Sequence, residues 1–158
     1  MDVDLEQDIT TFWSLLFAIL TDSEKRLAAH MAAHGLTPPQ FFVLKTLVEN
    51  NGACPIGFIA RDHHLTNATM TGLVKRLEAM EPPLVQRQPS LDDGRSVVVV
   101  LTAAGEARFE AVKNAVFEQL QLILGLLGPE ERQTLMHFVT RYLDVVSQLL
   151  PIDTISSG

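Results

Sequence analysis

The sequence predicts a mainly α-helical protein with a small β-hairpin wing, in which a winged helix-turn-helix is flanked by long N- and C-terminal dimerisation helices. Two short helical segments joined by a tight turn lie mid-chain, and two strand-like segments around an Asp-Gly turn follow them. Longer segments with apolar residues at helical spacing lie on either side. The 158 residues, of which 47% are hydrophobic, suffice for one such domain with helical extensions.

The first helix is predicted from a cap at Asp4 to about His34, with Gly35 ending it. A helix of that length extends about 45 Å at roughly 1.5 Å per residue, which is more than the small domain after it could cover. We therefore expect it to pack against another subunit. The apolar residues at helical spacing are Leu5, Ile9, Phe12, Leu16, Ile19 and Leu20.

Two helices of the central module have clear start signals. The segment 37–40, Thr-Pro-Pro-Gln, is a capping box that starts a helix to about Glu49. Cys54-Pro55 is predicted to open a short helix from Ile56 to about Asp62. This short helix would be the first of the helix-turn-helix pair.

The second helix of the pair is predicted from a cap at Thr66 or Asn67 to about Met80. Met70, Leu73, Val74 and Leu77 have the i, i+3, i+4, i+7 spacing of a buried stripe. The opposite face carries small and hydrogen-bonding residues, which suit close contact with DNA base edges, whereas the alternative is an ordinary solvated face. Those residues are Asn67, Ala68, Thr69, Thr71, Gly72, Lys75 and Arg76.

The wing is predicted from strands over 84–88 and 96–101 with a turn at Asp93-Gly94. Asp93 and Arg95 project to the same side of an extended backbone, so the carboxylate could hold the guanidinium in place. An arginine held in this way suits the narrow minor groove, and the alternative is an exposed ion pair of little energetic value. Arg87, near the hairpin stem, could contact a phosphate or support the wing.

The C-terminal part is predicted as two helices. Thr102 caps the first, from Ala103 to about Leu127, and Gly128-Pro129 starts the second, which ends near Leu150. The predicted domains are an N-terminal dimerisation helix, a winged helix-turn-helix, C-terminal dimerisation helices and a frayed tail, over residues 1–36, 37–102, 103–150 and 151–158. The apolar stripes of the two C-terminal helices are Phe109, Val112, Val116, Leu120, Ile123 and Leu127, and Leu135, Phe138, Val139, Tyr142, Val146 and Leu149.

The net charge of -7 is unusual for a nucleic-acid-binding protein, because Lys and Arg normally supply much of the affinity for phosphate. The charge is unevenly distributed. Residues 61–95 contain five basic and five acidic residues, so the whole deficit lies outside the suspected DNA-binding segment.

Other sequence features favour a cytoplasmic protein without a membrane anchor. The apolar run over 12–20 is far shorter than the roughly 20 residues that span a bilayer, and the acidic N-terminus does not resemble a signal peptide. The single cysteine, Cys54, excludes an internal disulfide and is expected to be a small buried hydrophobe.

An enzyme is not expected, because the sequence contains none of the GxSxG, HExxH, GxGxxG or GxxxxGK motifs. No cofactor or metal is expected either. His30 and His34 are more typical of helix-end histidines than of zinc ligands, and capping and solvent exposure would account for Asp62-His63-His64.

The chain resembles the MarR family of winged-helix transcriptional regulators in four segments: LTPPQFFVLKTL, TNATMTGLVKRLE, LVQRQPSLDDGRS and VVVVLTAAGEA. The resemblance covers about residues 36–108. It implies a homodimer that inserts recognition helices into successive major grooves of a pseudo-palindromic operator and wing arginines into flanking minor grooves. The residues at the matching recognition-helix positions are Asn67, Ala68, Thr69, Thr71, Lys75 and Arg76, preceded by the capping Thr66, and those of the wing are Asp93 and Arg95.

One departure from the family concerns the junction between recognition helix and wing. The family usually places a glycine before the first wing strand, whereas this chain has Glu81-Pro82-Pro83. Residues before proline avoid helical geometry, so the helix still ends there, but the direction of the wing could differ.

The resemblance also implies a ligand-responsive repressor. Many relatives release DNA when a small phenolic or amphipathic ligand binds between the dimer helices and the winged module, and core packing is the alternative role for the residues that could line such a cleft. Cysteine-based oxidation sensing is disfavoured, because Cys54 lies outside the first helix. The alternative function is a winged-helix protein-interaction module without specific DNA binding. The candidate cleft residues are Trp13, Phe17, His30, His34 and Phe42.

Overall fold

Six helices and three strands make up the part of the chain that the computed structural model describes, residues 3–92, 94 and 96–152. The helices are α1 (Val3–Ala33), α2 (Pro38–Glu49), α3 (Ile56–Asp62), α4 (Asn67–Glu78), α5 (Ala103–Gly125) and α6 (Pro129–Leu149). The strands are β1 (Ala53–Pro55), β2 (Val85–Pro89) and β3 (Val97–Leu101). The predicted mainly helical fold with a small wing is confirmed, and most predicted boundaries hold to within two residues.

Several helix ends follow the predicted caps, but Asp4, which was predicted to cap α1, lies within the first turn of that helix because α1 begins at Val3. The Thr37 hydroxyl accepts a hydrogen bond from the Gln40 amide at 3.4 Å, and the Gln40 side chain accepts one from the Thr37 amide at 3.0 Å, which completes the capping box of α2. Gly35 ends the α1 segment with a positive φ of 71°. At the start of α5 the Thr102 hydroxyl accepts a hydrogen bond from the Gly105 amide at 3.0 Å.

The sheet has a third strand that the sequence analysis did not predict. The strands are antiparallel in the order β1-β3-β2, and Val99 of β3 lies opposite Cys54 on one side and Arg87 on the other. The predicted helix from Ile56 to Asp62 is confirmed, with Pro55 at its N-cap, but the sequence analysis did not predict that Cys54 and Pro55 also form a strand. Three residues ending in proline are too short to show strand periodicity, and β1 forms because β3 offers it a free edge.

The core lies between the helices of the winged module and the sheet. Leu44, Leu47, Ile59, Leu77 and Val99 are among its fully buried side chains. The rings of Phe41 in α2 and Phe109 in α5 stack with their centroids 5.3 Å apart, which joins α5 to this core.

The junction between α4 and the wing packs closely on the start of α5. The Thr102 hydroxyl donates a hydrogen bond to the Pro83 carbonyl oxygen at 2.6 Å, and the Thr102 amide donates to the Leu84 carbonyl oxygen at 3.1 Å. A Cβ added to Gly105 would lie 2.0 Å from the Leu84 carbonyl oxygen. The Glu81-Pro82-Pro83 segment, with a cis bond before Pro82, is thus held by the β3–α5 corner.

The chain forms two compact units, one extending to Val116 and the other beginning at Phe117, so their boundary falls inside α5. The predicted domain boundaries, which divide the chain by role, stay a prediction. Both terminal regions expose apolar side chains. Among the described residues, Met31 is the only buried residue of α1, and no residue of α6 is buried. Among the described helices, none has the length and hydropathy needed to span a bilayer.

Candidate nucleic-acid interface

The N-terminus of α4 is ordered by threonine hydroxyls. The Thr66 hydroxyl accepts a hydrogen bond from the Thr69 amide at 3.1 Å and donates one to the Thr69 hydroxyl at 2.9 Å. Thr66 is thus the N-cap, one of the two predicted candidates. The predicted buried stripe is confirmed in full, with Met70, Leu73, Val74 and Leu77 buried.

The outer face of α4 is formed by small and polar residues. Thr71 and Gly72 are half-buried, and the Thr71 hydroxyl donates a hydrogen bond to the Asn67 carbonyl oxygen at 2.8 Å. A Cβ at Gly72 would meet no atom within 4 Å, so packing within the protein does not explain a glycine there. The exposed residues of this face are Asn67, Ala68, Thr69, Lys75 and Arg76.

The wing is a hairpin formed by β2 and β3, paired from Val85 and Leu101 to Pro89 and Val97. Beyond that pair the Ser90 amide donates a hydrogen bond to the Ser96 carbonyl oxygen at 2.8 Å, and Gly94 has a positive φ of 67°. The Gly94 conformation agrees with the predicted turn chemistry. Asp93 and Arg95 lie outside the described residues, so their pairing stays a prediction.

Arg87 forms an ion pair with Glu78 of α4. Its Nε and Nη2 atoms donate to one carboxylate oxygen of Glu78 at 3.1 and 2.9 Å, and its backbone amide donates to the other at 2.7 Å. This contact is of the kind expected if Arg87 supports the wing, and contact of Arg87 with a phosphate stays a prediction. These hydrogen bonds lower the pKa of Glu78, with the larger effect from the Arg87 side chain and the smaller one from its backbone amide.

Glu78 was not singled out by the sequence analysis. An acidic residue at a helix end and a basic residue in the following strand have no fixed spacing that marks them as partners. The only indication in the sequence that Glu78 and Arg87 are partners was that they carry opposite charges nine positions apart.

Two of the candidate cleft residues, Trp13 and Phe42, line different cavities. Trp13 lies with Leu5, Ile9, Phe12 and other α1 residues around a cavity of about 410 Å³, and its ring centroid is 4.4 Å from that of Phe17. Phe42 instead lines a cavity of about 300 Å³ with residues of α2 and of the α3–α4 turn. His30 and His34 are half-buried, and the His34 carbonyl oxygen accepts a hydrogen bond from Arg108 Nη1 at 2.8 Å.

The Asp62-His63-His64 segment differs from its prediction at one residue. His63 caps the end of α3 but has only 13% of its side chain exposed, because its Nε2 atom lies 2.7 Å from the buried Thr46 hydroxyl of α2. Solvent exposure therefore does not explain His63. The described residues contain no cluster of His, Cys, Asp and Glu suited to a metal ion.

Cys54 is buried in β1, as predicted. Burial, and to a smaller extent the negative charge of Asp62, raises the pKa of its thiol. A reactive cysteine has a lowered pKa and access to solvent, so this environment is that of an inert thiol.

Together the α3–α4 pair, the three-stranded sheet and the exposed polar face of α4 define a winged helix-turn-helix protein. The MarR family model matches residues 36–97. The protein described as uncharacterized HTH-type transcriptional regulator YfiV from Bacillus subtilis is 31% identical over 129 residues, 82% of this chain and 79% of that protein. The HTH-type transcriptional repressor NicR from Pseudomonas putida is 31% identical over 109 residues, 69% of this chain and 67% of the repressor.

Solved structures are similar over most of the chain. A MarR family protein from Bacillus stearothermophilus has a TM-score of 0.79 at 24% identity, covering 93% of this chain and 99% of that one. A probable transcriptional regulator from Pseudomonas aeruginosa is 36% identical with a TM-score of 0.55, covering 78% of this chain and 93% of that one. The chain belongs to the MarR family, whose members are DNA-binding transcriptional regulators and not enzymes.

Proposed function

We propose that the protein is a homodimeric repressor that binds a pseudo-palindromic operator through two copies of α4. The observation that carries this is the division of α4, with an apolar stripe fully buried and an outer face of small and polar residues. Such a face allows the helix backbone to approach base edges closely in a major groove. In this proposal the contacts to DNA come from Thr66, Asn67, Ala68, Thr69, Thr71, Lys75 and Arg76, and from Asp93 and Arg95 of the wing.

The homodimer is supported by the exposed apolar side chains of the terminal helices. In α1, Ile9, Trp13 and Leu20 are each more than half exposed, and in α6 Phe138 and Leu143 are as well. Large exposed apolar surfaces mark association sites, and a second copy offers the same surface in return. Two winged modules held in this way would meet half-sites about one DNA turn, roughly 34 Å, apart.

The test is selection of bound sequences from random DNA, followed by titration of the selected duplex in increasing salt. We expect a pseudo-palindromic duplex bound by two protomers. Lys75→Ala or Arg76→Ala should weaken binding and reduce the salt slope by about one for each phosphate that the side chain no longer neutralises. Lys25→Ala removes the same charge from α1 and should change neither quantity. Failure to select any sequence would instead favour the protein-interaction module.

We further propose that a small aromatic or amphipathic effector binds between the dimer helices and the winged module, beside Trp13, Phe17, His30, His34 and Phe42. The open groove of about 410 Å³ that α1 residues form beside Trp13 supports the Trp13 part of this site, since its volume is of a size that small ligands fill. Trp13 is the only tryptophan of the chain, so its fluorescence reports on the site. Titration with salicylate, a phenolic probe, should quench this fluorescence and release the selected duplex. An unchanged signal and unchanged DNA binding would contradict the site for phenolic ligands.

A further inference from the structure

The Glu78–Arg87 ion pair joins the last residue of α4 to the middle of β2. Three hydrogen bonds of 2.7 to 3.1 Å connect them, two from the guanidinium and one from the backbone amide of Arg87. Both side chains are about one-third exposed. One carboxylate thus holds the main chain and the side chain of the same wing residue.

The position of Glu78 is electrostatically unfavourable without this partner. A helix dipole places partial negative charge at the C-terminus, so a carboxylate at the last residue of α4 is repelled there. The carboxylate also lies three positions after Lys75 and two after Arg76, on a helix proposed to approach DNA phosphates. By charge alone, Glu78 weakens both the helix end and DNA binding.

The Glu78–Arg87 pair also gives a backbone amide at the edge of the sheet its hydrogen-bond acceptor. In the order β1-β3-β2, the β2 strand has β3 on one side only. The Arg87 amide donates to Glu78, so α4 provides the acceptor on the other side. The hydrogen bonds between Glu78 and Arg87 therefore fix the orientation of the wing relative to α4, in addition to the covalent link through Glu81-Pro82-Pro83.

We propose that Glu78 and Arg87 are positioning residues for DNA binding, which set the angle between wing and recognition helix so that both reach one duplex. This rests on the proposed function, in which α4 and the wing contact the same operator. Arg87 acts here through Glu78 and the wing rather than by contacting a phosphate.

Positioning and simple electrostatics predict opposite changes in DNA affinity when the negative charge of Glu78 is removed. Glu78→Gln and Glu81→Gln each remove one negative charge from this junction without changing the side-chain shape, and Glu81 is exposed. If charge alone matters, both variants bind the selected duplex more tightly. Positioning predicts that Glu78→Gln binds up to about fivefold more weakly while Glu81→Gln does not, the upper end of the range expected for a partly exposed ion pair.

A double-mutant cycle tests whether the two residues act as one unit. Arg87→Ala should weaken binding by about the same factor as Glu78→Ala, and the double variant by no more than either. Arg87→Ala should leave the salt slope unchanged, because Arg87 neutralises no phosphate in this proposal. Gln88→Ala, an exposed neighbour in β2, is the control for changes in the strand. Additive losses, or a salt slope lowered by about one in Arg87→Ala, would overturn the proposal.

Shortening the duplex separates this proposal from the proposed function. Once the flanking segments contacted by the wing are removed, Glu78→Gln should bind no more weakly than wild type, because the wing no longer contributes and only the lost negative charge remains. If wild type itself loses nothing on shortening, the proposed wing contact fails. If wild type does lose affinity but Glu78→Gln binds the long duplex as wild type does, only the positioning role fails.

Discussion

Gly72 tests the proposed close approach of α4 to DNA. An alanine there has open space and helical backbone, so Gly72→Ala should stabilise the fold by about 0.5 to 1 kcal/mol. The added methyl group would stand on the outer face and should weaken binding of the selected duplex about tenfold, or roughly 1.4 kcal/mol. Thermal unfolding and mobility-shift titration measure the two effects.

Gly57→Ala is the matched control for Gly72→Ala. Gly57 lies in α3, and an added Cβ there also meets no atom within 4 Å. It should raise the unfolding temperature without affecting DNA binding. Unchanged affinity in Gly72→Ala would show that α4 does not approach the bases closely at this position.

Cys54 should be unreactive in the folded protein. Cys54 is 3% exposed and the pKa of its thiol is raised above the ordinary value, so the reactive thiolate is rare and sheltered at neutral pH. The thiol contribution to stability is present below its unfolded pKa and is lost as the pH rises through the higher folded value. A thiol reagent at neutral pH should react slowly with native protein and rapidly in denaturant. Fast reaction of the native protein, with loss of DNA binding, would restore oxidation sensing as a hypothesis.

At the scale of elements, local sequence signals predicted most of the structure. The capping box of Thr37 and Gln40 and the cap at Thr66 depend on contacts within one turn, so their residues alone identify the helix starts. β1 and the Glu78–Arg87 pair depend instead on segments that meet only after folding. The candidate cleft residues show the same limit of local sequence signals. Trp13 and Phe42 are both aromatic and were both predicted for one cleft, but they line separate cavities.

The corner between β3 and α5 requires glycine at position 105. Gly105→Ala should destabilise the fold by about 2 to 3 kcal/mol, because the new Cβ would overlap the Leu84 carbonyl oxygen. Chemical denaturation measures the change. Gly125→Ala, in the same helix but with open space around it, is the control and should not destabilise. A Gly105→Ala protein as stable as wild type would mean that the corner can open to admit a methyl group.

At the scale of the whole molecule, the exposed apolar residues of α1 make association testable. Leu20→Glu places a charge on a surface proposed to be covered by a second protomer, so it should shift the protein toward monomer. Analytical ultracentrifugation over a range of concentrations measures this. Leu91→Glu makes the same replacement at a fully exposed leucine of the wing and should leave the oligomeric state unchanged. A wild-type protein that is monomeric at micromolar concentration would contradict the homodimer.

The central place of β3 has a consequence for signalling. β1 runs directly into α3 and β2 is tied to α4, so β3 connects both helices of the pair to the wing through its two neighbours. We therefore expect these parts to move as one rigid body, with slow amide hydrogen exchange along β3. In the proposed homodimer, a signal that alters affinity for the proposed operator would then act by reorienting this body against the second copy, not by bending the wing alone.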